Sequence, residues 1–258
     1  MDPIAVISDV HGNLTALTAV LDDIGRRGVE QIVCLGDVVG YGPEPAKCLD
    51  LVLERCQVTL MGNHDFAVLY QPSNFNIGAE MACYWTRRML EGEPDKAARD
   101  RRWKFLLSLP VRQVLPAEQC PVGEVSLAHG SPRRPVNEYV FPDDIYNSPT
   151  KLHGLFERFG GLCLVGHTHV PGVFLSTPDF YSPEELGDAY EVDSHQAMIN
   201  VGSVGQPRDR DPRAGYVLLE EGVVRFVRVE YDVEATVSLV HGIVELDDYL
   251  GNRLREGR

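Results

Sequence analysis

The chain has 258 residues, 44% of them apolar, which is enough to bury a large core in one α/β unit. It carries 24 Lys and Arg against 38 Asp and Glu, a net charge of −14, and so lacks the basic surface that a general nucleic-acid binder uses to displace counterions. No apolar run reaches the length of a membrane span, no basic segment precedes the short apolar run after Met1-Asp2-Pro3, and the six cysteines form no C-x-x-C pair. The expected setting is cytoplasmic and reducing, with no membrane partner.

In chain order, Ile4-Ala5-Val6-Ile7 is a β-branched apolar run that reads as a buried strand. Residues 14–27 then carry helical apolar spacing and stop at Gly28. A strand over 31–35, a helix over 45–54 and a strand over 58–61 follow. From Phe75 to Pro110 the pattern turns helical, with Met81, Trp85, Met89, Trp103, Leu106 and Leu107 at helical spacing among charges. Glu93-Pro94-Asp95 marks a helix restart. Residues 75–110 are therefore expected to form a helical insertion or cap, its aromatic residues serving packing. Strand-like runs resume at 124–128, 162–165, 172–175, 197–201, 215–219 and 223–229, before a last helical stretch from about Glu234. Strands alternating with helices and then following one another directly predict an α/β fold: two sheets face to face, one partly antiparallel, with outer helices. One domain over residues 1–258 is expected.

Chemistry-bearing residues follow the strands. Ser8-Asp9-Val10-His11 comes after the first, Gly36-Asp37 after the second, and Gly62-Asn63-His64-Asp65 after the third. His129-Gly130 and Gly166-His167-Thr168-His169 follow two later ones. In an α/β sheet the carboxyl ends of the strands border the binding crevice, so these residues are expected to converge. Extended backbone through Asp9-x-His11 and His167-x-His169 is expected to aim both members of each pair to one side. Each piece has an ordinary reading by itself, Gly-Asn-His-Asp being also a turn sequence. Five of the eight histidines occupy strand ends, however, and His153, His195 and His241 are left as surface or packing residues.

Imidazole, carboxylate and one amide oxygen, without thiolate, suit Mn, Fe, Zn or Ni better than an all-oxygen calcium cage. Seven candidate donors exceed one tetrahedral site and match two ions sharing a carboxylate at a separation of about 3.5–4 Å. Such a pair lowers the pKa of a bridging water towards about 7 and spreads the charge of an in-line phosphoryl transition state.

With these motifs in this order the chain resembles the calcineurin-like metallophosphoesterases, from the N-terminus to about Pro212 and least well after Phe75. The resemblance implies a four-layer αββα sandwich of two mixed sheets flanked by helices. It also implies that Asp9, His11 and His169 hold one ion, that Asn63, His129 and His167 hold the other, and that Asp37 bridges, with manganese or iron favoured. His64, beside Asn63, is the candidate general acid. Arg133, after the His129-Gly130-Ser131-Pro132 turn, and Arg208, in the stretch Asn200 to Arg208, are candidate phosphate contacts. The second block departs from the Ser/Thr protein phosphatase branch. Gly40 stands where that branch has the Asp that orients the catalytic His, and Tyr41 stands where it has a phosphate-clamping Arg. Losing a bidentate clamp for a dianion favours a phosphodiester, with a small phosphomonoester as the other option. The expected activity is hydrolysis of a phosphorylated small molecule or nucleotide. The alternatives are a phosphoprotein phosphatase and a non-catalytic protein-binding scaffold on the same fold.

Overall fold

Alternation within the first strand sets the layers of the computed structural model, which describes residues 1–258. Ile4 and Val6 point into an apolar layer between two sheets, whereas Ala5 and Ile7 point the other way, into a layer of helices. The first half of the chain runs β1 (Ile4–Ile7), α1 (Leu14–Arg26), β2 (Gln31–Cys34), α2 (Pro45–Arg55), β3 (Val58–Thr59), α3 (Asn63–Leu69), α4 (Ile77–Glu91), α5 (Lys96–Ser108), β4 (Arg112–Leu115) and β5 (Val125–Ala128). Then come α6 (Asp144–Asn147), α7 (Pro149–Phe156), β6 (Leu162–Val165), β7 (Gly172–Leu175), β8 (Phe180–Tyr181) and β9 (Ala189–Glu191). The chain closes with β10 (Ala197–Asn200), β11 (Ala214–Glu220), β12 (Val223–Val229), α8 (Val233–His241) and α9 (Asp248–Asn252). No helix is long and apolar enough to cross a membrane.

One sheet has the order β3-β2-β1-β11-β12-β9 and the other β4-β5-β6-β10-β7-β8. Each joins parallel strands (β1 with β2 and β3 on one side, β5 with β6 and β10 on the other) to antiparallel ones, so both are mixed. Leu35, Leu60, Val125, Leu164, Ile199 and Val217 meet between the sheets. Behind the first sheet, Leu17, Val20, Ile24 and Leu49 of α1 and α2 cover Ala5, Ile7 and Cys34. Behind the second, Leu152, Leu155 and Phe156 of α7 cover Cys163, Val165 and Met198. The expected four-layer sandwich is what forms.

The helical stretch after Phe75 is the pair α4 and α5. Asn76 caps α4 by accepting the Ala79 N–H (2.9 Å), and Asp95 caps α5 by accepting the Ala97 N–H (2.8 Å). Trp85 is buried, while Met81, Met89 and Leu107 are exposed. The strand expected over 58–61 stops early. Leu60 still donates to the Cys34 carbonyl (2.9 Å), but the Met61 N–H turns to Pro110, and this takes the chain out of the ladder and into Gly62.

Candidate metal centre

Backbone hydrogen bonds tie the turn after β1 to that after β2, and the turn after β5 to that after β6. The Asp9 N–H donates to the Gly36 carbonyl (3.0 Å), the His11 N–H to Asp37 (2.9 Å), and the Gly166 N–H to His129 (2.9 Å). The His167 N–H donates to the Asp9 carboxylate (3.0 Å), which links the two sheets at their seam. The backbone in these turns is not extended. Asp9, His11, Asp37, His167 and His169 all have positive φ, between 48° and 66°, and this corrects the expectation that alternation along a strand aims the two pairs. Left-handed backbone costs an ordinary residue roughly 1–2 kcal/mol, and Asp, Asn and His enter it most readily among residues with a side chain. Such residues at five donor positions mean that sharp turns, each held by its neighbours, deliver the side chains.

The donor atoms converge. Asp9, His11 and His169 form one group and Asp37, His129 and His167 another, with the donor atoms of each group within 4.8 Å of one another. Asp37 Oδ2 lies 3.7 Å from His11 Nε2 and 3.3 Å from His129 Nε2, so it touches both groups. Asn63 Oδ1 lies 3.2 Å from His129 Nε2 and joins the second. His11, Asp37 and His64 form a third close triad. All seven expected donors are therefore brought together.

Three imidazoles have their orientation fixed from behind. Nδ1 of His11 faces the Val39 carbonyl (3.2 Å), Nδ1 of His129 faces Leu35 (3.2 Å), and Nδ1 of His169 faces Gln206 (2.5 Å). With the ring proton on Nδ1, each Nε2 presents a lone pair inwards, the arrangement that metal-ligating histidines adopt. His11 Nε2 and His169 Nε2 then sit 3.1 Å apart with lone pairs facing, which is favourable only with a cation or proton between them. His167 Nε2 is buried without a hydrogen-bond partner, and so is Asp9 Oδ1, whose neighbour His169 Nε2 at 3.1 Å turns a lone pair to it once the ring proton is on Nδ1. These orphaned atoms fit a metal pair better than they fit a self-satisfied polar core.

The electrostatics agree. Burial alone would raise the Asp9 carboxyl, but the His169 and His129 imidazoles hold it well below the usual range. Asp37 is held down in the same way, against its burial, by His129 and His64. Burial opposes charge on His129, yet Asp37 and Asp9 lift it to about 9, so a cation entering at neutral pH displaces a proton there. Burial pushes His167 and His169 down to about 3, with His129 and Arg208 respectively adding to it.

Asp65 has a different task. Its carboxylate accepts the N–H groups of Asp37 (2.7 Å), Val38 (3.0 Å), Val39 (3.3 Å) and Gly62 (3.0 Å), pinning the second turn to the third. Gly62 must lack a side chain, because a Cβ would overlap the Asp37 carboxylate. Burial and the Asp37 charge push Asp65 up to about 6, and the Gly62 and Val39 N–H groups and the His129 charge oppose them. An unpaired buried N–H costs about 1–3 kcal/mol, so Asp65→Ala should lose about 3 kcal/mol or more of unfolding free energy. Urea unfolding of the metal-free protein measures this, and a loss below about 1 kcal/mol would mean that water replaces the carboxylate at little cost.

The stretch Asn200 to Arg208 buttresses the centre. Ser203 Oγ and the Gly205 N–H both donate to the Asp9 carbonyl (2.9 Å each), and Asn200 Nδ2 donates to Gly166 O (2.6 Å). Arg208 is half-buried at the rim, bonded to Gln206 Oε1 (2.7 and 3.2 Å), with its guanidinium 5.8 Å from the Tyr41 ring centre. Arg133 is paired with Glu138. His153, His195 and His241 are exposed, as expected.

His64 is the second residue of α3 and is 3% exposed. Its ring is boxed by His11 (4.8 Å between ring centres), Tyr41 (4.4 Å) and Phe75 (4.7 Å). Burial drives its pKa well below the usual value. Its Nδ1 lies 3.5 Å from Cys83 Sγ on α4. A cleft of about 210 Å³ opens over Asn63 and His167, walled by Tyr41, Phe66, Phe75 and Tyr139 and edged by Asn74, Asn76 and Asn137. No Lys or Arg lines it. Tyr139 stacks on His167 (3.8 Å, 25°) and Phe141 continues the stack (5.3 Å, 4°). A larger cleft of about 690 Å³ lies elsewhere, and its four arginines all face carboxylates.

Comparison with known proteins agrees with this geometry. The family model of calcineurin-like phosphoesterases matches residues 2–171. An uncharacterized protein of Methanocaldococcus jannaschii is 38% identical over 264 residues, covering 99% of this chain and 98% of its own. The crystal structure of a metallophosphoesterase from Sphaerobacter thermophilus superposes with a TM-score of 0.82 at 37% identity, over 100% of this chain and 99% of that one. A hypothetical protein from Pyrococcus horikoshii has the same fold at a TM-score of 0.73 and 19% identity, over 100% and 99%.

Proposed function

This chain belongs to the calcineurin-like phosphoesterases, and from that premise we propose that it hydrolyses a small phosphoester at a centre of two divalent transition-metal ions. The observation that carries the reading is the convergence of inward-facing Nε2 atoms and an unpartnered Asp9 oxygen at the seam of the sheets. In this reading Asp9, His11 and His169 hold one ion, Asn63, His129 and His167 hold the other, and Asp37 serves both. Imidazole, carboxylate and amide donors suit manganese or iron, and accept zinc or nickel. Bound there, the ions supply Lewis acidity, making water nucleophilic near neutral pH and offsetting phosphoryl charge.

The side chains of this protein do the remaining work. Nε2 of His64 gives a proton to the leaving oxygen. Asp37 accepts the His64 backbone N–H (2.8 Å) and so fixes where that ring starts. Arg208, with donors left over from Gln206, meets a phosphoryl oxygen at the rim. A cleft with aromatic walls, amide edges and no Lys or Arg favours a singly charged diester bearing a planar group, a nucleotide above all. The phosphoprotein reading is weaker, because Tyr41, at the position of that branch's phosphate-clamping Arg, spends its ring against His11 and His64 and leaves Arg208 as the one guanidinium at the rim.

The test is metal analysis of the purified protein, followed by turnover of bis(p-nitrophenyl) phosphate, p-nitrophenyl phosphate and a dinucleotide with Mn²⁺, Fe²⁺, Zn²⁺ or Ni²⁺. Diester turnover, with the dinucleotide at the lowest KM, is expected. No turnover with any ion would sink the enzyme reading, and faster monoester cleavage would overturn the diester assignment.

A further inference from the structure

His64 lacks the carboxylate partner of the Ser/Thr protein phosphatase branch, since Gly40 stands at that position. We propose that Cys83, on the helical insertion, is the positioning residue for His64: its thiol holds Nδ1 and so turns Nε2 towards Asp37 and the reacting phosphoester. The inference rests on the reading of His64 as proton donor.

Three observations carry it. Cys83 Sγ is 3.5 Å from His64 Nδ1, within hydrogen-bond reach for sulfur, and the other groups boxing the ring are aromatic faces. A Cβ at position 40 would overlap Nδ1, so a carboxylate attached there could not coexist with this ring position. The bare Gly40 and the thiol of Cys83 are complementary, one making room for the ring and the other meeting its nitrogen. The donor atoms of His64, His11 and Asp37 also lie within 4.8 Å of one another, so the ring already faces the cluster.

Cys83 is 1% exposed, and burial, with the Asp37 and Asp65 charges nearby, pushes its thiol well up, so it remains S–H. A thiol both donates and accepts weakly. It donates to Nδ1 when that atom carries a lone pair and accepts from Nδ1–H when the ring is an imidazolium. In the proposed step the ring, neutral at rest, gains a second proton from solvent, and as a water oxygen bonds to phosphorus the bond from phosphorus to the leaving oxygen breaks with its electron pair on oxygen. That oxygen takes the proton from Nε2, and Nδ1–H stays against Sγ. Cys83 exchanges no proton with substrate.

A purely structural thiol and a positioning thiol differ in what their loss does to poor leaving groups. General-acid help contributes about 10²–10⁴-fold, nearly all of it for leaving oxygens that need a proton. With the Mn²⁺-loaded protein, Cys83→Ala is expected to lower kcat about tenfold on a dinucleotide and less than about twofold on bis(p-nitrophenyl) phosphate. Cys83→Ser, whose hydroxyl can meet Nδ1 in the same two ways, should recover most of the loss. Equal losses on both substrates, or no rescue by Ser, would overturn the proposal. An independent readout is the ¹⁵N spectrum of the histidine rings in the metal-free protein. It should show one His64 tautomer, with the proton on Nε2, in wild type and Cys83→Ser, and a mixture in Cys83→Ala. An unchanged tautomer in Cys83→Ala also overturns it. If wild type turns over nothing, the phosphoesterase reading fails by itself, and the ring spectrum still decides the Cys83 contact.

Discussion

Asp37→Asn is expected to remove nearly all phosphoesterase activity while leaving the fold standing. Position 37 has φ of 53°, which Asn tolerates as well as Asp, and an amide oxygen can still accept the His64 N–H. What disappears is the negative charge 3.3 Å from His129 and 3.7 Å from His11. Asp37 is the group that touches both donor triads, so a neutral side chain weakens both ion positions together. Several kcal/mol of charge stabilisation should be lost, which corresponds to about 10³-fold or more in kcat/KM. Metal analysis should find fewer than two ions per chain, and the melting temperature of the metal-free protein should shift little. Full activity with two ions retained would remove Asp37 from its bridging role.

His64→Gln separates chemistry from metal binding. Turnover of a diester with a poor leaving group should fall about 10²–10⁴-fold, because the proton donor is gone. The bis(p-nitrophenyl) ester should be much less affected, and metal content should stay at the wild-type level. The control matters because His64 also forms a close triad with His11 and Asp37. Loss of metal in step with loss of activity would make His64 a ligand instead of an acid.

The layers and the donors were legible in the sequence because they follow from periodicity and from residue type. Ile4 to Ile7 alternates between two cores; Asp37, Asn63, His129 and His167 each directly follow a short apolar run or the Gly that ends it, and Asp9, His11 and His169 come within a few residues of one. What could not be read was anything fixed by tertiary hydrogen bonding. β4, a polar edge strand, is held by pairing with β5 and has no apolar run of its own. The left-handed turns carry no periodic signal, which is why extended backbone was expected there. Asp65 carries no sequence signal for its task, since four N–H donors converge on it from two separate turns. Cys83 lies 19 positions beyond His64, on a helix whose spacing signalled only packing.

The division of the donors between the two sheets also bears on how the protein assembles. Asp9, His11, Asp37 and Asn63 follow strands of one sheet, and His129, His167 and His169 follow strands of the other. All seven lie within residues 2–171, the segment that the family model matches. That segment is nevertheless two unfinished ribbons. β1 needs β11 beside it, β6 needs β10, and Ser203 and Gly205 prop the Asp9 turn from a stretch translated later still than β10. A growing chain therefore owns every donor well before it can hold them in place, and the centre closes only when the last strands dock. Metal uptake should lag behind secondary structure during refolding and so report completion of the tertiary fold.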